Sequence, residues 1–337
     1  MAFMIRRGSN ISHWLSQSNR RGPERRAFFQ PDDVRRIAEW GFDHIRLPID
    51  EEQMWDASGT QDWEAFDLMD AALDWAEQAG LKVVVDLHIL RSHYFCQNTE
   101  PALFTNPSEA AKFVEFWRQL SQHLGDRAPD RVAYELMNEP IARQAKDWNR
   151  VALPVFQTLR EREPNRTLVL GSNQWNSPKV FDELDVPPDP RTILTFHYYS
   201  PMLITHYEAP WWDEGSWYHG PIQYPGQGIP EWHLAGMSEQ DRTRVKDFNQ
   251  TYDRQRMIAD LAKPLAVAKR TGCPLYCGEF GAHSKGPLPV RLAWYRDIVS
   301  VFKEFGIAWA NWDYKGGFAL VQDGQSTGIA EELLADD

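Results

Sequence analysis

Two glutamates, each at the end of a short apolar run, are the residues of this chain best suited to chemistry. Glu139 stands in Asn138-Glu139-Pro140, after the run that begins at Val132, and Glu279 ends the run that begins at Leu275. An apolar run that ends on an acid predicts a buried strand with a carboxyl group at its C-terminal end, where barrel enzymes hold their reactive groups. Two such carboxyl groups on different strands are sufficient to cleave a glycosidic bond.

The remaining sequence supplies elements that would bring these acids to one face. Segments with helical periodicity separate the apolar runs; Pro31–Trp40, for example, opens on Pro-Asp-Asp, which is typical of a helix start. Buried strands that alternate with amphipathic helices predict a parallel sheet, and eight of them predict an α/β fold closed into a (β/α)8 TIM barrel. An open doubly wound sheet is the alternative, but no GxGxxG follows the first run. The predicted strands are Phe3–Arg7, His44–Pro48, Val83–His88, Val132–Glu139, Leu168–Asn173, Ile193–Tyr199, Pro274–Phe280 and Ala308–Trp312.

Length and charge restrict the class of protein. The 337 residues suit one catalytic barrel domain over 1–337, and a monomer is expected. A net charge of -12 argues against a nucleic-acid partner, because binding phosphates requires excess Lys and Arg. No apolar stretch approaches the roughly 18 residues of a membrane span. The first residues show no export signal, which predicts a cytoplasmic protein if Met1 is the natural start and a secreted one if a leader was removed.

Tryptophan is unusually frequent in segments between the predicted strands. Of 15 tryptophans, several fall in predicted loops, and a long irregular segment at about 200–239 is rich in them. Because that segment follows a strand end, we expect it to lie over the active face. Aromatic faces pack against sugar rings, although burial under loops is the alternative for any one of them. The loop tryptophans are Trp14, Trp175, Trp211, Trp212, Trp217 and Trp232.

Read in order, the predicted strand ends give Arg46 in Ile-Arg-Leu-Pro, His88 in Asp-Leu-His, Asn138-Glu139-Pro140, His197-Tyr198-Tyr199, Glu279 in Gly-Glu-Phe-Gly and Trp312 in Ala-Asn-Trp-Asp. Together they resemble glycoside hydrolase family 5, the cellulase family of retaining β-glycosidases with acids on strands four and seven. The resemblance covers nearly the whole chain, from Gly8 to Trp312. It implies a β-glycan or oligosaccharide substrate and no metal or organic cofactor.

The resemblance also assigns roles. It makes Glu139 the general acid/base and Glu279 the nucleophile, so one carboxyl must stay protonated while the other stays ionised. Arg46 and Tyr199 are suited to keeping Glu279 ionised, although Arg46 could equally be a structural ion pair.

Four further residues are expected at the sugar whose bond is cut. Asn138 is expected to bind its 2-hydroxyl, His88 and His197 to line its pocket, and Trp312 to form the floor. Two acids are set apart from these because each shares a strand face with a site residue: Glu135, on the face of Glu139, as a buried or lower-layer partner, and Asp86, on the face of His88, as a residue that orients other groups.

The substrate we expect is β-1,4-linked glucan, cut by an endoglucanase-type reaction. A β-mannanase and an exo-acting β-glucosidase or oligosaccharidase on the same barrel are the alternatives, because gluco- and manno-configured sugars differ at one hydroxyl. A different class is a metal-dependent barrel hydrolase that uses His88, His197, Glu139, Glu279 and Asp313. Against it, strand one carries a single His13 where such enzymes have His-x-His, and the chain has no HExxH.

Overall fold

Eight parallel strands form a closed barrel in the computed structural model, which describes residues 2–335. Each strand pairs with its neighbours in the sheet, and the last pairs with the first, so the predicted TIM barrel is confirmed. The barrel strands are β1 (Arg7–Asn10), β2 (His44–Asp50), β3 (Lys82–Ile89), β4 (Val132–Glu135), β5 (Leu168–Gly171), β6 (Thr192–Tyr198), β7 (Leu275–Phe280) and β8 (Ala308–Asn311).

Local sequence sets the ends of the longer helices. Gln30 and Asp33 form a reciprocal capping box at the start of Pro31–Trp40, and Gly41 ends that helix at φ 99°. Asp62 caps Trp63–Gln78 by accepting the N–H of Ala65. The other helices are Gly22–Phe28, Glu51–Met54, Ala102–Thr105, Pro107–Leu124, Ala145–Arg162, the single turn Asn173–Asn176, the 3-10 helix Pro178–Glu183, Met202–Thr205, Glu231–Gly236, Glu239–Val245, Arg254–Asp260, Ala262–Thr271, Leu288–Phe305 and Ile329–Leu333.

The first strand begins later than the sequence predicted. The Phe3–Arg7 prediction was wrong because β1 covers Arg7–Asn10. Phe3 instead closes the N-terminal end of the barrel, where it packs with inward-facing apolar residues such as Val84 and Tyr276. This end of the interior is apolar, and burying it stabilises the closed sheet.

At the opposite face, which carries the site, β4, β5, β6 and β8 end earlier than predicted, β7 ends as predicted, and β2 and β3 run beyond their predicted ends. The predicted strand Val132–Glu139 ends at Glu135. Beyond Glu135 the chain leaves the extended conformation, and Glu139 adopts φ 44°, which is uncommon for a residue other than glycine. Backbone held in this region usually reflects a constraint from the surrounding structure.

The irregular segment predicted at about 200–239 contains more ordered structure than expected. After helix Met202–Thr205, the strands Gly226–Gln227 and Thr251–Tyr252 pair antiparallel and enclose two short helices. The single-domain prediction for 1–337 stays an expectation, and residues 1, 336 and 337 lie outside those the structure describes. Within residues 2–335, none of the helices combines the length and apolar character needed to cross a bilayer.

Candidate active site

Glu279 lies near the end of β7, and its carboxylate is bound from two sides. Nη1 of Arg46 is 2.7 Å from Oε1, and the phenol of Tyr199 donates to Oε2 over 3.0 Å. Tyr199 directly follows β6, whereas the adjacent Tyr198 points outward and donates to Asp260. The structure therefore brings together the three residues that the sequence grouped around the candidate nucleophile.

Arg46 is fully buried at the centre of a larger ionic network. Its Nε and Nη2 donate to the two carboxylate oxygens of Glu135, over 2.7 and 3.0 Å. Nη2 is also 3.0 Å from Oδ2 of Asp86. The side-chain oxygen of Asn10 accepts from Nη1, and that of Asn138 accepts from Nη2, which Asn138 shares with Glu135 and Asp86; each distance is 2.9 Å. Such a network fixes the guanidinium in one position, so the Arg46 charge reaches Glu279 in a fixed geometry.

Glu139, four residues beyond β4, faces Glu279 across the barrel mouth. Its Oε1 is 2.8 Å from Nδ1 of His197, which is 3.5 Å from Oε2 of Glu279. One oxygen of each glutamate lies within 4.8 Å of the other. Retaining glycosidases hold their carboxyl groups about 5–5.5 Å apart, and inverting enzymes need about 6.5–9.5 Å to admit a water molecule. The separation fits retention.

Burial raises the pKa of both glutamates, because each charged form loses hydration. For Glu139 the negative charge of Glu279 adds to the effect of burial. For Glu279 the guanidinium of Arg46 and the phenol of Tyr199 act in the opposite direction. These neighbours favour Glu139 as the holder of a proton shared by the pair and Glu279 as the charged partner. Burial and the charge of Arg46 keep the pKa of His197 well below its usual value, so its imidazole is neutral.

Polar atoms without a protein partner point to where a sugar would bind. Nδ1 of His88 is 2.6 Å from Asp86, while among the described residues Nε2 has no partner. Asn138 likewise binds Arg46 through its oxygen and leaves Nδ2 unpaired within the described chain. The ring of Trp312 stacks on His88, with centroids 5.6 Å apart and planes 5° from parallel. Buried polar atoms normally have partners, so these atoms are available to a ligand hydroxyl.

Two asparagines that sequence reasoning missed support the site from behind. Asn10, at the end of β1, binds Arg46 and donates to the carbonyl of Gly278 on β7 over 2.9 Å. Asn176 is 3.3 Å from Nε2 of His197, which leaves Nδ1–H to donate toward the carboxylates. Gln174, Trp175 and Asn176 have φ of 53°, 60° and 51°. Asn10 lies just beyond predicted strand one, and Asn176 lies just beyond predicted strand five. This position could have marked both asparagines as site candidates, because the ends of strands build barrel sites.

A cleft of about 1230 Å³ surrounds these groups, and only some of the loop tryptophans line it. Trp175, Trp211 and Trp212 lie along its walls. Trp14 is instead fully buried, and its indole N–H donates to the carbonyl of Arg25. The other two are not among the lining residues: the guanidinium of Arg244 covers Trp217, and Trp232 is exposed on the insert. Three of the six loop tryptophans are therefore placed to contact a sugar in this cleft.

The sequence model of the cellulase family, glycosyl hydrolase family 5, matches residues 13–317. The chain belongs to glycosyl hydrolase family 5. This confirms the family expected from the strand ends and makes the chain a glycosidase.

The family's curated members include close matches in length. Endoglucanase C of Acetivibrio thermocellus is 30% identical over 333 residues, which cover 97% of this chain and 96% of the relative. Cellodextrinase A of Ruminococcus flavefaciens is 27% identical over 307 residues, or 90% and 84% of the two chains. Among solved structures, Thermotoga maritima Cel5A with cellobiose superposes with a TM-score of 0.78 at 23% identity and covers 98% and 97%. That likeness supports the fold.

The metal-dependent hydrolase considered from the sequence has a partial counterpart in the structure. Donor atoms of Glu139, His197 and Glu279 all lie within 4.8 Å of one another, a spacing that could hold a divalent cation. The other two residues named for that site are not part of this group: His88 contacts Asp86 through Nδ1, and Asp313 binds Ser12. Family membership makes this chain a glycosidase, and a reaction without metal or cofactor stays a prediction.

Proposed function

We propose that this family 5 glycosidase is a retaining endo-β-1,4-glucanase in which Glu279 is the nucleophile and Glu139 the general acid/base. One observation carries the assignment of roles. The two carboxyl groups lie close to one another, yet of the two only Glu279 is bound by Arg46 and Tyr199. An ionised nucleophile and a protonated acid are what the first step of a double displacement needs.

In the first step, ionised Glu279 attacks the anomeric carbon while Glu139 gives its proton to the departing glycosidic oxygen. The bond to the leaving sugar breaks as the bond from carbon to the Glu279 oxygen forms. Nδ2 of Asn138 is available for the 2-hydroxyl, a contact that strengthens in the transition state. Trp312 would support the sugar face beside His88.

In the second step, Glu139 acts as base and water completes the reaction. Glu139 gave its proton to the leaving sugar in the first step, and with Glu279 esterified no negative charge on Glu279 raises the pKa of Glu139, so Glu139 stays ionised and can accept a proton from water. The oxygen of this water attacks the anomeric carbon and releases Glu279. Two inversions at one carbon give retention. His197, neutral and bonded to Glu139, holds that carboxylate in position through both steps.

Two observations favour a glucan cut internally. A cleft of about 1230 Å³ exceeds what one sugar fills, and tryptophans from separate loops line it. The relative with the highest identity given above is named an endoglucanase. Another relative is named a cellodextrinase, which keeps action on short oligosaccharides as the alternative.

The test is the time course of products from cellohexaose, with mannohexaose in parallel. Early cellotriose and cellotetraose would support internal cleavage, whereas stepwise release of glucose or cellobiose would indicate the exo-acting alternative. Cleavage of mannohexaose alone would assign a β-mannanase. The Glu279→Gln variant, purified identically, is the control for contaminating hydrolases. If cellohexaose is cleaved with inversion, as NMR of the first product anomer would show, the proposed mechanism is wrong.

A further inference from the structure

A second hydrogen-bonded group lies at the barrel mouth where β8 and β1 end, apart from the two glutamates. Asp313 is fully buried, and its Oδ1 accepts the backbone N–H groups of Gly316 and Phe318 over 3.0 and 3.3 Å. The hydroxyl of Ser12 donates to its Oδ2. A Cβ at Gly316 would overlap this carboxylate, so the loop is closed tightly around it. The carboxylate is therefore held in one place by three donors.

His13 is the member of this group that faces the cleft. Its Nδ1 is 2.7 Å from the Ser12 hydroxyl and 3.4 Å from Asp313. Within the described part of the chain no residue bonds Nε2, and 38% of the side chain is exposed. The backbone is at φ 57°, and Arg20 donates to the His13 carbonyl over 2.8 Å. One ring nitrogen is therefore anchored, and the other is directed away from the anchor.

The position of His13 determines which sugar it can reach. Its ring centroid is 6.3 Å from that of Trp312, and both residues line the cleft. In the barrel order β1 and β8 are adjacent, and β4 lies opposite β8. Because Glu139 follows β4 and protonates the departing oxygen, the leaving sugar lies on that side. Units over β8 and β1 therefore belong to the part of the substrate retained on the enzyme.

We propose that His13 binds a hydroxyl of the sugar next to the one that is cut, on the non-leaving side. This rests on the proposed function. Ser12 and Asp313 are positioning residues, because they fix the ring by binding Nδ1. A neutral hydroxyl suits the site: it can donate to or accept from imidazole and needs no counter-charge. The cleft can thus select substrates with at least two sugars ahead of the cleaved bond.

The experiment compares two substrates that release the same phenol, 2,4-dinitrophenyl β-cellobioside and 2,4-dinitrophenyl β-glucoside. Only the cellobioside places a sugar over β8 and β1. For His13→Ala, the ratio of kcat/KM between cellobioside and glucoside should fall about tenfold, which is about 1.4 kcal/mol. His13→Gln, which keeps a polar atom near Nε2, should recover most of that ratio. Ser12→Ala should lower it less than His13→Ala does.

The control is the same substitution at an exposed site, His219→Ala, which should keep the wild-type ratio. A ratio within twofold of wild type for His13→Ala would overturn the proposal, and a histidine that contacts only the leaving side would give this result. Failure of the proposed function looks different, because then the wild-type chain would cleave neither cellohexaose nor the cellobioside. Thermal unfolding of each variant separates lost contacts from lost fold.

Discussion

The two glutamates of the site are buried to a similar depth but have different neighbours. Glu279 is 4% exposed and Glu139 is 9% exposed. Glu279 contacts a guanidinium and a phenol, both donors, whereas Glu139 contacts a neutral imidazole. Equal burial alone would raise the pKa of both carboxyl groups and leave neither suited to attack. The contrast supports the proposed roles, in which the neighbours of each glutamate, rather than its depth, separate nucleophile from acid.

The contrast also depends on residues that touch neither the substrate nor Glu139. Asp86, Glu135 and Asn10 hold Arg46, and Arg46 holds Glu279. In the same way Asn176 contacts His197 and so supports Glu139, which His197 binds. Each glutamate therefore has its own supporting chain of contacts, and each can be tested separately.

The largest expected effect is loss of the nucleophile. Glu279→Ala should lower kcat on cellohexaose by roughly 10⁴-fold or more, because the group that forms the covalent intermediate is gone. Azide can enter the vacated space and attack directly, so it should restore turnover of the dinitrophenyl cellobioside and yield the inverted α-glycosyl azide. NMR of the product gives the anomer. A β-azide from this variant would contradict the nucleophile assignment.

Loss of the acid should depend on the leaving group. Glu139→Ala should reduce kcat on cellohexaose by about 10²–10⁴-fold, because an unactivated sugar needs protonation to depart. The first step with a dinitrophenyl leaving group needs no proton, so azide should accelerate release of the glycosyl-enzyme and give the retained β-azide. Equal losses for kcat/KM on both substrates would remove the distinction between the two glutamates.

The supporting network should contribute to stability as well as activity. Arg46→Met would leave Asp86, Glu135 and Glu279 buried without their cation, at a cost of about 3–5 kcal/mol in the free energy of unfolding. The raised pKa of each acid means that the folded state takes up protons before the unfolded state does. The destabilisation should therefore shrink as the pH falls from 8 to about 5, as urea unfolding would measure. A loss that stays constant with pH would show that packing, not charge, causes it.

The smallest expected effect removes one donor from Glu279. Tyr199→Phe deletes a hydrogen bond to a charged group, worth about 1.5–3 kcal/mol, and so roughly ten- to a hundredfold in kcat. That bond lowers the pKa of Glu279, so its loss should raise it. The acidic limb of the kcat/KM profile should move to higher pH, while the alkaline limb, set by Glu139, moves less. If only the alkaline limb moved, the two assignments would be interchanged.

The sequence predicted the elements whose ends are set by local chemistry. Helix Pro31–Trp40 was predicted with the bounds that the structure shows, because local residues mark both ends. Pro-Asp-Asp begins the helix, and Gly41 directly follows its last residue. The order of the seven later strands was equally visible, because each contains a short apolar run, whereas the first strand, Arg7–Asn10, does not. The residues near Glu139 and Glu279 could be named from the strand ends of a known family.

Features that depend on tertiary contact were not predictable from the sequence. Nothing near Phe3 indicates that it fills the base of the barrel rather than forming a strand. Trp14 lies in a loop-like sequence but is fully buried, and the left-handed turn that carries Asn176 contains no glycine to signal it. These positions are set by distant parts of the chain, and local sequence patterns carry no information about them.

Four acids and one guanidinium share the upper layer of this barrel: Asp86, Glu135, Glu139 and Glu279 around Arg46. Such a layer contributes less to stability than its burial suggests, since apolar side chains of similar volume are often as stable or more so. The apolar base of the barrel and the helices outside it must therefore stabilise the chain beyond what a barrel without chemistry would need. The acidic layer and any further destabilising mutation both leave the chain with a smaller free energy of unfolding. Stabilising changes elsewhere should therefore widen the range of active-site variants that still fold.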